Sequence, residues 1–244
     1  MTVYSTRGLQ GQLAGTLGRR ILAGTLAEGE TIDVDALEHE FSVSRTVVRE
    51  ALRVLSAKGL VDARPRTGTF VRPRTAWRLL DEDVMAWRAE NGMSEKLLVE
   101  LDELRRVIEP AAARLAATHR SDADVAALES ALERMKVAFE AHRTTSVSRL
   151  AEHVQADVDF HTALLRATGN ELIEHMDMML QPILSFRDNL IPEAQQSEDF
   201  IARHTAVVEA VSRGDADGAE RAMLQLLTEA AGDLESLYSG PDSK

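Results

Sequence analysis

No cysteine occurs in the 244 residues. That excludes disulfide staples and thiolate zinc sites, and it fits a reducing compartment. Nor is there a run of about 20 apolar residues, the length a membrane-spanning helix needs. The opening MTVYSTRGLQ has no apolar core of a secretory leader, so a cytoplasmic protein with no membrane partner is expected. Positive charge is also short: 28 Lys+Arg stand against 40 Asp+Glu, a formal net charge of -12. A uniformly acidic chain would repel nucleic acid, but the charge is not uniform. Residues 1–74 hold 11 Lys+Arg against 8 Asp+Glu, and the remainder holds 17 against 32. A basic reader joined to an acidic domain is compatible with DNA, since only the reading surface must be positive. Strand patterns are missing after Ser94, as are internal repeats and low-complexity tracts, and the length suffices for two cores.

What is present is concentrated in EFSVSRTVVREALRVLSAKGLV, residues 40–61. At about 100° per residue, Arg45, Arg49 and Arg53 fall within roughly 80° of each other, with Thr46 beside them. Val47, Val48, Ala51, Leu52, Val54 and Leu55 fill the opposite side. A surface helix with no partner usually mixes acids and bases on its wet face. This one carries a basic stripe beginning just after the N-cap candidate Ser44. Upstream, VDALEHEF (34–41) reads as a short helix capped by Asp33, separated from the arginine helix only by a turn through Ser42. LQGQLAGTLGRRILAGTL (9–26) supplies a further amphipathic helix. GLVDARPRTGTFVRP (59–73) reads as two strands around a turn at Arg64–Gly68, with Arg64 and Arg66 at the tip. Three helices and a basic hairpin make a winged helix-turn-helix.

The run SRTVVREALRVLSAKGLVDARPRTGTFV resembles the DNA-binding signature of the GntR family of bacterial transcriptional regulators, over roughly residues 7–74. The resemblance implies that Arg45, Thr46 and Arg49 contact an operator from the recognition helix, and that Gly68 lets the wing tip approach a groove. Two positions depart from the pattern. Asp35 stands where many members carry a DNA-contacting arginine, and Ser42 replaces a common turn glycine.

Residues 75–93 read as a linker that packs, with a short helical segment containing Leu79, Leu80, Val84, Met85 and Trp87. From 94 to 240 the pattern is all-helical, with helices expected at about 94–118, 122–142, 147–167, 171–188, 197–213 and 215–238. The fold class is therefore mainly α: a winged helix-turn-helix (1–74) and an all-α bundle (94–240).

Two helices of the bundle carry polar groups inside their apolar stripes. Asp157 and His161 lie one turn apart among Val154, Val158, Leu164 and Leu165, and His204 sits among Phe200, Ile201, Val207, Val208 and Val211. A lone inward histidine is ordinarily a satisfied core residue. An Asp/His pair with a second inward histidine also suits a metal or anion site, because a buried carboxylate needs a compensating charge. Arg105, in LLVELDELRRVIEPAAARLAA, adjoins the stripe of Leu97, Leu101, Ile108 and Leu115. It reads either as a snorkelling or intrahelically paired side chain or as a guanidinium aimed into a cavity to bind a carboxylate. Asn170 reads as a helix cap or a ligand contact, and Arg187 as solvated or cavity-facing.

The stretches at 157–170 (DVDFHTALLRATGN) and 203–223 (RHTAVVEAVSRGDADGAERAM) resemble the ligand-binding FCD domain of the FadR-type branch of GntR regulators. The resemblance implies a divalent metal, zinc before manganese or nickel, held by an aspartate and three histidines above a small-carboxylate site. Asp157, His161 and His204 match three of those ligands, and the fourth position is Leu226. The resemblance also implies an effector-binding role for Arg105. WRLLDEDVMAWR (77–88) and the missing fourth ligand are similar to regulators of sugar-acid metabolism, galactonate-operon repressors among them.

A metal-dependent enzyme with a helical-bundle active site is the rival reading. However, the chain has neither paired Glu-x-x-His repeats nor a His-Glu-x-x-His helix, and catalysis would leave the DNA reader unexplained. A purely architectural DNA binder would not need buried polar groups. The expectation is a homodimeric, ligand-responsive regulator bound to double-stranded operator DNA as a repressor, and released by a small carboxylate such as a sugar acid.

Overall fold

A computed structural model of the chain describes residues 8–65, 68–92, 94–145, 150–177, 184 and 198–238. The chain divides into two compact units, residues 1–93 and 94–244.

The first unit contains α1 (Leu9–Leu22), β1 (Thr31–Ile32), α2 (Val34–Phe41), α3 (Arg45–Ala57), β2 (Val61–Arg64), β3 (Gly68–Val71) and α4 (Glu82–Glu90). Asp33 caps α2 by accepting from the amides of Asp35 and Ala36, and Ser44 caps α3 by accepting from Val47 N. These side chains satisfy amide groups that a helix start leaves without partners. Between the two helices Ser42 takes the left-handed conformation, φ 51°. A family glycine would adopt it without strain; serine adopts it here at some cost. Leu17, Ile21, Val48, Leu55, Leu60 and Val71 form the heart of the core. The hairpin pairs β2 with β3 antiparallel, Val61 opposite Val71 and Arg64 opposite Gly68. β1 adds to the other edge of β3. Two residues are too short for a readable alternation, and β1 is not anticipated by the sequence pattern.

Residues 75–93 are integral to this first unit. Val84 and Trp87 of α4 join its core, and Lys58 Nζ lies 2.6 Å from both Asp81 and Asp83. Trp87 packs close enough to α1 that a Cβ on Gly18 would collide with two carbons of its indole. Gly18→Ala should therefore lower the thermal midpoint. The overpacking cost of about 1–3 kcal/mol outweighs the roughly 1 kcal/mol that alanine gains in helix propensity, because the buried indole has no room to retreat. An unchanged or raised midpoint in thermal unfolding would contradict this packing.

Helices are the regular secondary structure among the described residues of the second unit. It contains α5 (Glu95–His119), α6 (Asp122–Thr145), α7 (Leu150–Arg166), α8 (Glu171–Glu174), α9 (Glu198–Arg213) and α10 (Ala216–Tyr238). α5 packs on α10, α6 on α7, and α9 on both α10 and α6, around Met135, Phe160, Leu164, Val207, Met223 and Leu227. Of the helix expected over 171–188, α8 forms the first turn and ends at Glu174, with His175 as its C-cap, and most of the remainder is not among the described residues. Residues 178–183 and 185–197, which include Arg187, lie outside the described residues, as does Arg66 in the hairpin turn.

Candidate functional site

Two places carry the expected chemistry, one in each unit. In the first, Arg45, Thr46, Arg49 and Arg53 are all exposed on α3, while Val48, Leu52 and Leu55 face the core. The arginines are not equivalent. Arg45 Nη1 pairs with Asp35 at 2.5 Å and approaches Glu38 at 3.6 Å. Arg53 pairs with Glu50 at 2.8 Å. Among the described residues Arg49 makes no ion pair. The departure at Asp35 thus replaces a cation and also brings an acid onto the first arginine of the stripe. In the hairpin, Arg64 lies over the Phe70 ring at 4.2 Å, a cation–π contact that holds the charge at the wing. Gly68 has φ +89°, which an L side chain rarely adopts.

In the second unit, Asp157 and His161 of α7 and His204 of α9 are each 1% exposed. Their ligand atoms all lie within 4.8 Å of one another. Arg105 and Glu109 of α5 are equally buried and join the group. Arg105 Nε donates to Glu109 Oε1 at 2.5 Å. Glu109 Oε2 lies 2.6 Å from His161 Nδ1, and Arg105 Nη2 lies 3.2 Å from His161 Nε2. His204 Nε2 is 3.0 Å and His161 Nε2 3.7 Å from Asp157 Oδ1. The intrahelical pairing of Arg105 considered from the sequence is therefore present, within a wider cluster. Burial alone would push the Glu109 carboxyl up, but the Arg105 charge and the His161 contact outweigh it and hold it at about 2.

The donor set fits a divalent cation. His204 Nδ1 faces the Phe200 carbonyl at 2.9 Å, an acceptor, so this nitrogen carries the proton. Burial lowers the His204 pKa despite the opposing Asp157 charge, which favours the neutral ring with a lone pair on Nε2. That lone pair and a carboxylate oxygen lie 3.0 Å apart, an arrangement suited to a shared cation. One guanidinium against two carboxylates, Glu109 and Asp157, also leaves the buried cluster net negative when the imidazoles are neutral. Leu226 is buried in the apolar core and offers no ligand.

The remaining candidates lie elsewhere. Asn170 is exposed and caps α8 by accepting from Leu172 N. Glu109 was not singled out in the sequence; the available signal was its position four residues after Arg105. His153 was also passed over. It is 3% exposed, one turn before Asp157 on α7, with its ring 5.1 Å from that of Phe200. Burial lowers its pKa, opposed by Asp157.

The family model for bacterial regulatory proteins, gntR family, matches residues 9–71, and the FCD domain model matches residues 100–229. The galactonate operon transcriptional repressor of Escherichia coli K12 is 30% identical over 225 residues, covering 91% of this chain and 95% of that protein. The chain belongs to the GntR family. It is a DNA-binding transcriptional regulator of the FadR type, with an FCD domain, and not an enzyme. The HTH-type transcriptional regulator LutR of Bacillus subtilis is 32% identical across 89% of this chain and 95% of its own. The Glc operon transcriptional activator of E. coli K12 is 27% identical across 82% and 78%, so relatives include activators as well as repressors. In fold, the GntR regulator is similar to Lar, which controls the expression of the Listeria monocytogenes agr system. That likeness has a TM-score of 0.65 at 19% identity and covers 95% of this chain and 98% of that one. No helix among the described residues is long and apolar enough to cross a membrane.

Proposed function

We propose that this GntR regulator is a repressor released from its operator by a small carboxylate, with sugar acids the leading class. The observation that carries the reading is a fully buried guanidinium, Arg105, held among metal-type donors in the domain that does not read DNA. Burying a cation is costly even when it is paired. Glu109 takes its Nε and Nη2 contacts His161 Nε2, so Nη1 and the second N–H of Nη2 remain the natural partners of an acid. Support for the acid class comes from the relative that controls the galactonate operon.

Asp157, His161 and His204 would hold the divalent ion, zinc before manganese or nickel. When bound, it would supply positive charge and open coordination positions to the effector's oxygens. Arg45, Thr46 and Arg49 read base edges in the major groove, and Arg53, Arg64 and Arg66 contribute phosphate contacts, with Gly68 at the wing tip. Two chains pair through residues 94–240, so the operator is a palindrome whose half-site spacing mirrors the dimer. A thermal-shift screen of sugar acids and related carboxylates, with and without EDTA, tests the reading. One acid should raise the melting temperature strongly, and EDTA should weaken its effect. No response to any carboxylate would contradict it.

A further inference from the structure

Arg105 and His161 come from different helices, yet a single side chain touches both. Glu109 Oε1 accepts from Arg105 Nε at 2.5 Å, and its Oε2 lies 2.6 Å from His161 Nδ1. All three side chains are 1–2% exposed, so water does not compete for these contacts. Glu109 also precedes Pro110 inside α5; proline removes one amide from the helix ladder there, but the backbone still carries Glu109 and Arg105 onto one face, four residues apart.

The geometry dictates the protonation pattern of His161. Arginine has donors only, so the nitrogen 3.2 Å from Arg105 Nη2 must present a lone pair. The proton is then at Nδ1, with Glu109 Oε2 2.6 Å away. That Nε2 lone pair, 3.7 Å from Asp157 Oδ1, would pass from the Arg105 N–H to a metal when the guanidinium turns to an acid, and His204 is set in the same sense by the Phe200 carbonyl. A carboxylate behind a histidine that fixes its tautomer and orientation is the arrangement that tunes metal-binding imidazoles.

We infer that Glu109 is the positioning residue shared by both halves of the ligand site: with one carboxylate it sets the tautomer and direction of His161 and the orientation of the Arg105 guanidinium. This rests on the proposed carboxylate and metal reading and extends it. Metal affinity and acid affinity should therefore fall together when Glu109 is altered, although Glu109 is expected to touch neither ligand.

Glu109→Asp separates positioning from charge. It keeps the negative charge but withdraws the carboxylate by one methylene, too far to reach both partners. Titrated with Zn²⁺ alone, the variant should bind about 10–100-fold more weakly than the parent, the range for lost outer-sphere partners, and its affinity for the acid found in the screen should also fall. A purely charge-balancing Glu109 would leave both affinities unchanged, and that result overturns the inference. A second measurement needs no metal. Long-range ¹H–¹⁵N NMR of the metal-free parent should show His161 protonated at Nδ1 and bare at Nε2. An Nε2–H tautomer or a doubly protonated ring overturns the inference. Should the parent bind no Zn²⁺, the metal part of the functional reading fails, while the His161 tautomer and the acid affinity of Glu109→Asp still decide the role of Glu109.

Discussion

Arg49→Ala abolishes specific operator binding and leaves thermal unfolding unchanged: that is the expected result for the DNA-reading helix. Arg49 is exposed one turn into α3, and among the described residues it has no ion pair to lose, so its removal leaves no buried group stranded. On DNA, a bidentate contact to a base edge is worth about 1–3 kcal/mol, and a lost phosphate contact adds to that. In the proposed dimer the loss counts at both half-sites, so an operator selected from a random DNA pool should be bound at least about 30-fold more weakly, given tenfold per 1.4 kcal/mol. Binding to unrelated DNA should change much less. Wild-type operator affinity from this variant would remove α3 as the reading helix.

His161→Ala should produce a regulator that still binds its operator but no longer lets go. The substitution removes a ligand atom from the Asp157–His161–His204 group and the imidazole that bridges Glu109 and Arg105. Zinc content and response to the acid should be lost together, and operator affinity should match the parent, because no residue of the first unit is altered. Elemental analysis of protein purified without a histidine tag, together with DNA binding in the presence of the acid, checks both halves. A His161→Ala protein released from DNA at the parental acid concentration would contradict the assignment.

The reader was largely legible in the sequence because its signals are local. The stripe Arg45–Arg49–Arg53, the cap Ser44 and the turn to Gly68 each lie within a few residues of their partners. β1 was not legible, since Thr31 and Ile32 pair with Phe70 and Thr69 and two residues carry no period. The packing of 75–93 was visible in its apolar residues, but its target was not. Trp87 meets Gly18 across some seventy positions, a contact no local pattern records.

The buried cluster was half legible. Asp157, His161 and His204 stand out because each interrupts an apolar stripe. Glu109 did not, because a glutamate four residues after an arginine usually marks a solvated ion pair. Only the tertiary approach of α7 to α5 turns that pair into a buried bridge. His153 was obscured in the same way: its burial against Phe200 comes from α9. Asn170 illustrates the opposite outcome, a residue whose capping chemistry accounts for its position without a ligand.

Arg105 decides the central claim, and Arg105→Lys is the substitution to use. Alanine would strand Glu109 as an unpaired buried charge, at a cost of about 3–5 kcal/mol. Lysine keeps a cation beside Glu109 but cannot present two parallel N–H groups to a carboxylate. Titrating the operator-bound protein with the acid found in the screen, the account predicts parental zinc content and operator affinity for Arg105→Lys, with release shifted to at least tenfold higher acid. Release at the parental acid concentration would contradict it.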